Sequence, residues 1–461
     1  MIDSVLSDLD DGLDASAERL MALLRIPSIS TDPAYAGHCR AAAQWLVDDL
    51  TSIGFTASIR DTAGHPMVVA HHDGPSDNAP HVLFYGHYDV QPADPLELWT
   101  SEPFEPQLEE QNGLKVITGR GSSDDKGQLM TFVEACRAYK KVSGQLPCRV
   151  TILFEGEEES GSPSLKPFLE ANADELKADF ALVCDTNMWD LETPAISAGL
   201  RGLVGEEIVV HAADRDLHSG YFGGAAANPL HILSKALADL HADDGSVTIP
   251  DFYNGVEETP EDIKAAWGGL GKTDASFLGA IGLEHPSGEK NRSVLELTWA
   301  RPTCEVNGII GGYTGEGFKT VIPAEASAKV SFRLVGKQDP DAIRENFRAF
   351  IKARIPADCS VTFHEHGGSP AIQLPYDSPL LNTAKNALSR EWPKPAVMIG
   401  MGGSIPIVGD FQSLLGMDSL LVGFAQSDDR IHSPNEKYNL MSFHKGQRSW
   451  ARILEALAAS A

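Results

Sequence analysis

Residues 81–90 constrain the fold more than any other stretch. In His81-Val82-Leu83-Phe84-Tyr85-Gly86-His87-Tyr88-Asp89-Val90 an apolar, β-branched and aromatic run stops at a glycine, and His87 and Asp89 follow at once. Short buried runs that end at glycine are how a parallel strand delivers side chains to the carboxyl edge of its sheet. His87 then stands at the strand mouth, with Asp89 two residues on and able to face the same way. An imidazole whose second nitrogen is held by a carboxylate is a well-oriented metal ligand. A hydrogen-bonded structural pair accounts for the same two residues equally well.

Other stretches repeat the pattern. Gly119-Arg120-Gly121-Ser122-Ser123-Asp124-Asp125-Lys126-Gly127 feeds a helix predicted over residues 126–140. Its acidic pair reads either as a helix cap or as metal ligands. Phe154-Glu155-Gly156-Glu157-Glu158-Glu159-Ser160-Gly161-Ser162 sets four glutamates after an apolar strand, where an α/β sheet places its ligands. Like charges so crowded cost stability unless cations compensate, although a solvated acidic loop is the alternative. One carboxylate on a metal with its neighbour free as general base needs this crowding. Asp185 ends the apolar run 180–184, and His432 follows the apolar run 419–424. His87, Asp124, Glu159, Asp185 and His432 thus all fall near strand ends. Two imidazoles and three carboxylates suit two divalent ions that share a carboxylate, of the zinc or manganese kind.

With 461 residues the chain exceeds one ordinary core, so two domains are expected. Alternating strands and helices up to about residue 203 read as an α/β domain on a mostly parallel sheet. Residues 92–112 read as a long connection. After Gly202 the order changes to β-α-β-β-α-β, with strands at 206–212, 295–306, 324–334 and 360–366, a ferredoxin-like split unit. Residues 242–291 read as an insertion within it. From Pro375 the helix–strand alternation returns. The boundaries are then 1–203 and 374–461 for the larger domain and 204–373 for the inserted one. A net charge of −28 argues against nucleic acid and anionic membranes. Six scattered cysteines without a Cys-x-x-Cys pair suit reduced core thiols. Met1-Ile2-Asp3-Ser4-Val5-Leu6-Ser7-Asp8 lacks a signal-peptide pattern, so the expected location is cytoplasmic.

These motifs together resemble the M20 family of co-catalytic metallopeptidases, and within it the cytosolic nonspecific dipeptidase and carnosinase branch. The likeness runs from Ile26-Pro27-Ser28 to the C-terminal helix. Besides the stretches above it rests on Asp214-Arg215-Asp216-Leu217-His218-Ser219-Gly220, Lys319-Thr320-Val321-Ile322-Pro323, Gly402-Gly403-Ser404-Ile405-Pro406 and His432-Ser433-Pro434-Asn435-Glu436. The resemblance implies a di-metal catalytic domain with an inserted lid that also carries a dimer interface. It implies Asp124 as the carboxylate bridging both metals, His87 and Asp185 on one, and Glu159 and His432 on the other. Glu158 becomes the general base, Asp89 orients His87, and the Asp124–Asp125 peptide is cis. His218 reaches the active site of the partner subunit of a homodimer, and Asn307, Arg333 and Ser404 bind substrate. The implied reaction is hydrolysis of a dipeptide by a water that two divalent ions, zinc or manganese, activate. Deacylation of N-acyl amino acids is the rival within the enzymes, and a catalytically silent metal-binding scaffold is the rival outside them.

Overall fold

A seven-residue strand, His81–His87, lies at the centre of the first half of the computed structural model, which describes residues 1–402 and 405–460. It runs parallel to Arg149–Glu155 on one side and to Phe180–Val183 on the other. Phe180–Val183 is in turn parallel to Asp418–Leu421. The outer pairings, Thr56–Arg60 with Met67–His72, Met67–His72 with Arg149–Glu155, and Asp418–Leu421 with Ala195–Leu200, are antiparallel. The sheet is therefore mixed, and the expected parallel character belongs to its four central strands. The peripheral strands at 56–72 follow one another too closely for a helical crossover, so they can pair only antiparallel.

Helices cover this sheet. Lys126–Ser143 is buried along nearly its whole length and ends on Gly144, a left-handed cap whose N–H returns to Lys140 O. Phe132 on that helix stacks on Phe84 of the central strand at 3.9 Å between centroids, and Trp450 of the C-terminal helix Leu440–Ala459 meets both edge-on. These rings belong to one continuous core of the first unit, in which Leu and Ala are the commonest members. All six cysteines are free, and five of them are buried.

The chain divides into two compact units. The first holds residues 1–198, 374–399 and 410–461, and the second residues 199–373 and 400–409. The second unit is built on a four-stranded antiparallel sheet in the order Thr303–Gly311, Glu325–Leu334, Gly202–His211, Ser360–Ser369. With Pro229–Ala238 and Pro340–Lys352 as its helices, this is the β-α-β-β-α-β split unit. Both helices start on an Asx cap followed by proline: Asn228 accepts from Leu230 N, and Asp339 from Asp341 N.

Two sequence expectations fail locally. Residues 295–306, expected as one strand, are a helix, Val294–Trp299, followed by the strand Thr303–Gly311. A capping box decides it: Ser293 Oγ accepts from Glu296 N, and the Glu296 carboxylate accepts from Ser293 N. The connection at 92–112 contains the strand Gln107–Gln111, which pairs with Leu114–Thr118 through Asn112 and Gly113, both at positive φ. No helix among the described residues is long and apolar enough to cross a membrane.

Candidate metal centre

The parallel register at the carboxyl edge assembles the first part of the site. Tyr85 pairs with Val183, so the chain runs two residues further on each side to reach His87 and Asp185. Asp124 arrives from the loop before the Lys126–Ser143 helix, and its imidazole contact to His87 Nε2 is 3.0 Å from Oδ1. His87, Asp124 and Asp185 each offer one ligand atom, all within 4.8 Å of one another. Asp124, Glu159 and His432 form a second such group. In it, His432 Nε2 lies 3.0 Å from Asp124 Oδ2 and 3.1 Å from Glu159 Oε2. Asp124 is common to both groups, one oxygen toward each.

The electrostatics ask for positive charge. Hydrogen bonds to Asp124 and then Glu159 raise the His432 imidazole to about 10. Burial, followed by the like charge of Asp124, lifts the Asp185 carboxyl to about 7. Burial acts to raise Asp124 too, but His432 and His87 hold it below the usual carboxylate range. Two neutral-capable imidazoles and three carboxylates, with every ligand atom in two tight groups, fit two divalent cations.

Around these donors lies a shell that fixes their aim. His87 Nδ1 faces Asp89 Oδ1 at 3.4 Å, and the two oxygens of Asp89 accept from Glu158 N and Glu159 N at 3.3 and 3.0 Å. One buried carboxylate therefore orients an imidazole from one strand and anchors the turn after another. Asp125 turns the opposite way and accepts from His87 N at 3.0 Å; the peptide between it and Asp124 is cis. Gln91 donates to Glu159 Oε2 at 2.8 Å.

Glu436 performs the largest task in this shell. Its buried carboxylate accepts from Arg120 Nη1 at 2.7 Å, from Gly121 N and Ser123 N at 2.9 Å, and from Asp124 N at 3.0 Å. Asp429 adds a second tie, accepting from Ser123 Oγ at 2.9 Å and from Lys437 Nζ at 2.9 Å. The loop carrying His432 is thereby pinned to the loop carrying Asp124. Glycine is required where the chain closes on itself: a Cβ on Gly127 would sit 1.9 Å from Ser122 O. Glu436, Asp429 and Gln91 went unremarked as individual residues in the sequence, since each acts on a donor distant in the chain.

Glu158 stands apart from these ties. Its carboxylate has no hydrogen-bond or ion-pair partner among the described residues, although its N–H is held by Asp89. Burial raises its pKa, opposed by His87 and reinforced by Glu159 and Asp124. A partly buried, unengaged carboxylate next to a metal ligand can take up and return a proton.

The peptidase family M20/M25/M40 matches residues 83–456. The chain belongs to that family. It is a hydrolase, and its donor set places it among the metal-dependent members. It is 31% identical over 448 residues to the Cys-Gly metallodipeptidase DUG1 of Candida albicans, covering 93% of this chain and 92% of that one. It is 29% identical over 384 residues to the Beta-Ala-His dipeptidase of Homo sapiens, covering 82% and 75%. The solved structure of the dipeptidase Dug1p from Saccharomyces cerevisiae superposes with a TM-score of 0.76 at 27% identity, covering 100% of this chain and 99% of that one.

His218, Asn307 and Arg333 of this M20 chain lie in the second unit. His218 is exposed; its Nδ1 accepts from Gly220 N at 2.9 Å and its ring lies 4.8 Å from that of Tyr221. Asn307 and Arg333 line one cavity of about 660 Å³. Ser404 lies outside the described residues.

Proposed function

We propose that this chain is a metal-dependent dipeptidase. The observation that carries the proposal is the pair of donor groups sharing Asp124, with the unengaged Glu158 adjoining Glu159. The relatives named as dipeptidases support the substrate class. His87, Asp124 and Asp185 would hold one ion, and Asp124, Glu159 and His432 the other, with zinc preferred and manganese second. Two bound ions supply Lewis acidity, which makes water a stronger acid and the scissile carbonyl a better electrophile. Glu158 accepts the proton of the attacking water at its carboxylate and returns it to the departing amine. Asp89 keeps the His87 ring and the turn bearing Glu158 in one geometry during both transfers. His218 donates toward the oxyanion, and Asn307, Arg333 and Ser404 bind the substrate, Arg333 taking the C-terminal carboxylate.

The protein is a homodimer in this reading, with His218 serving the partner's active site and the second unit acting as lid and interface. Thr303–Gly311 is an edge strand, and it exposes Val306, Ile309 and Ile310. Tyr221, Tyr313 and Phe318 are also exposed, the last at 91%. An apolar edge strand left in water invites pairing with a second chain. A cytoplasmic location goes with the free cysteines.

The test is hydrolysis of a dipeptide panel, beside N-acetyl amino acids, by metal-stripped protein refilled with zinc or manganese. Cleavage of free-amine dipeptides only after metal return is the expected result. Activity confined to N-acyl substrates would make the chain a deacylase, and no turnover with both ions bound would make it a scaffold.

A further inference from the structure

The second unit contains eight arginines, and six of them face carboxylates. Arg344 and Arg348 share Glu206, Arg292 and Arg301 share Glu258, Arg354 pairs with Asp239 and Arg215 with Asp214. Arg201 and Arg333 do not. Both are partly buried, both line the cavity of about 660 Å³, and neither has an ion-pair partner among the described residues. Arg201 spends one N–H, donating from Nε to Gly402 O at 3.1 Å. Arg333 sits on the adjacent strand, in register with Leu203. The two carboxylates on the cavity wall leave them without an ion pair: Glu289 is held by Arg301, and Glu305 makes no ion pair among the described residues. Burial, and next the charge of Arg333, pulls Arg201 down to about 10 against the opposing charge of Glu305, so the two cations feel each other. Like charges brought together without an ion-paired carboxylate cost free energy that a bound anion recovers.

We infer that Arg201 is a second carboxylate-binding residue, forming with Arg333 a dibasic cleft that selects dipeptides with a free C-terminal carboxylate over neutral-ended ones. The inference rests on the dipeptidase reading of Arg333. The Gly402 contact fixes the guanidinium plane, leaving its Nη groups for a planar, two-oxygen acceptor. Asn307, Ser331 and Thr303, among the cavity's other polar residues, add neutral hydrogen-bond capacity around the same anion.

The experiment compares alanyl-leucine with its C-terminal amide as substrates for the full-length metal-loaded enzyme and its R201Q, R201K and R333Q variants. R201Q should raise KM for the acid about 10- to 100-fold, the range of one lost charged hydrogen bond, with the loss in KM rather than kcat. The amide should respond far less, so the preference for the acid collapses, and R201K should restore part of it. Equal losses on acid and amide, or a loss confined to kcat, would show that Arg201 only fastens the Gly402 segment, and would overturn the inference. If R333Q weakens the acid and R201Q does not, the inference fails while the carboxylate reading stands. A wild type that cuts acid and amide alike, with R333Q unchanged, removes both. Should R201Q not fold, R201K decides: an acid-specific rise in KM supports the cleft, and its absence overturns it.

Discussion

The two units treat charge in opposite ways. In the first, the donors around Asp124 are backed by Asp89, Gln91, Asp429 and Glu436, each within hydrogen-bond reach of a ligand or of the loop that carries it. In the second, Arg201 and Arg333 line a cavity in which neither makes an ion pair among the described residues, and the exposed His218 ring accepts from the nearby Gly220 N. The first arrangement is finished before substrate arrives. The second acquires its partners on binding. Preorganised charge serves chemistry, because reorganisation during reaction would raise the barrier. Unanswered charge serves recognition, because a ligand gains what the fold leaves unmet.

Four substitutions would break or sharpen this contrast. Glu158→Gln should lower kcat by about 10²- to 10⁴-fold while two ions per chain remain, as counted by elemental analysis. A parallel loss of metal would move Glu158 into the ligand set and blur the division between donors and base. His218→Ala should cost about 10²- to 10³-fold in kcat with metal content unchanged. Mixing that variant with Glu158→Gln should recover activity if one chain's second unit serves the other chain's first, and no recovery would confine each site to one chain. Glu436→Gln should weaken metal binding about 10- to 100-fold, read by competition with a chromogenic chelator. Unaltered affinity there would mean that the Asp124 loop holds its shape unaided. Ser123→Ala is the mildest case, expected to lower unfolding free energy by about 1 kcal/mol in a denaturant titration. A much larger loss would make the Asp429 tie a cornerstone of the fold.

Legibility from sequence follows the same division. The central strands and the donors at their ends stand out because each run is short, apolar and closed by glycine or acid, with local signals throughout. The family resemblance put His87 and Asp185 on one ion, and the parallel register of their strands is what brings them together. The role of Glu436 could not be read, although it closes the 432–436 stretch of the resemblance, because its partners lie more than 300 positions earlier. The failures at 295–306 and 92–112 were avoidable. Ser293-Val294-Leu295-Glu296 has the capping-box spacing, and Asn112-Gly113 is the commonest hairpin dipeptide. The apolar content of 294–299 suggested a strand, and the cap overrode it. Arg201 carries no local signal at all; only the inventory of paired arginines around it sets it apart.

The reach of Glu436 has a temporal consequence. The Glu436 carboxylate that closes the 120–124 loop, and the His432 that completes the second donor group, follow that loop by more than 300 residues. The Asp418–Leu421 strand that fills the sheet between Phe180–Val183 and Ala195–Leu200 comes only slightly earlier. A nascent chain with 400 residues already outside the ribosome would still lack all three. The two donor groups proposed to hold metal therefore cannot both close until residues 418–436 have been made and have met the earlier strands.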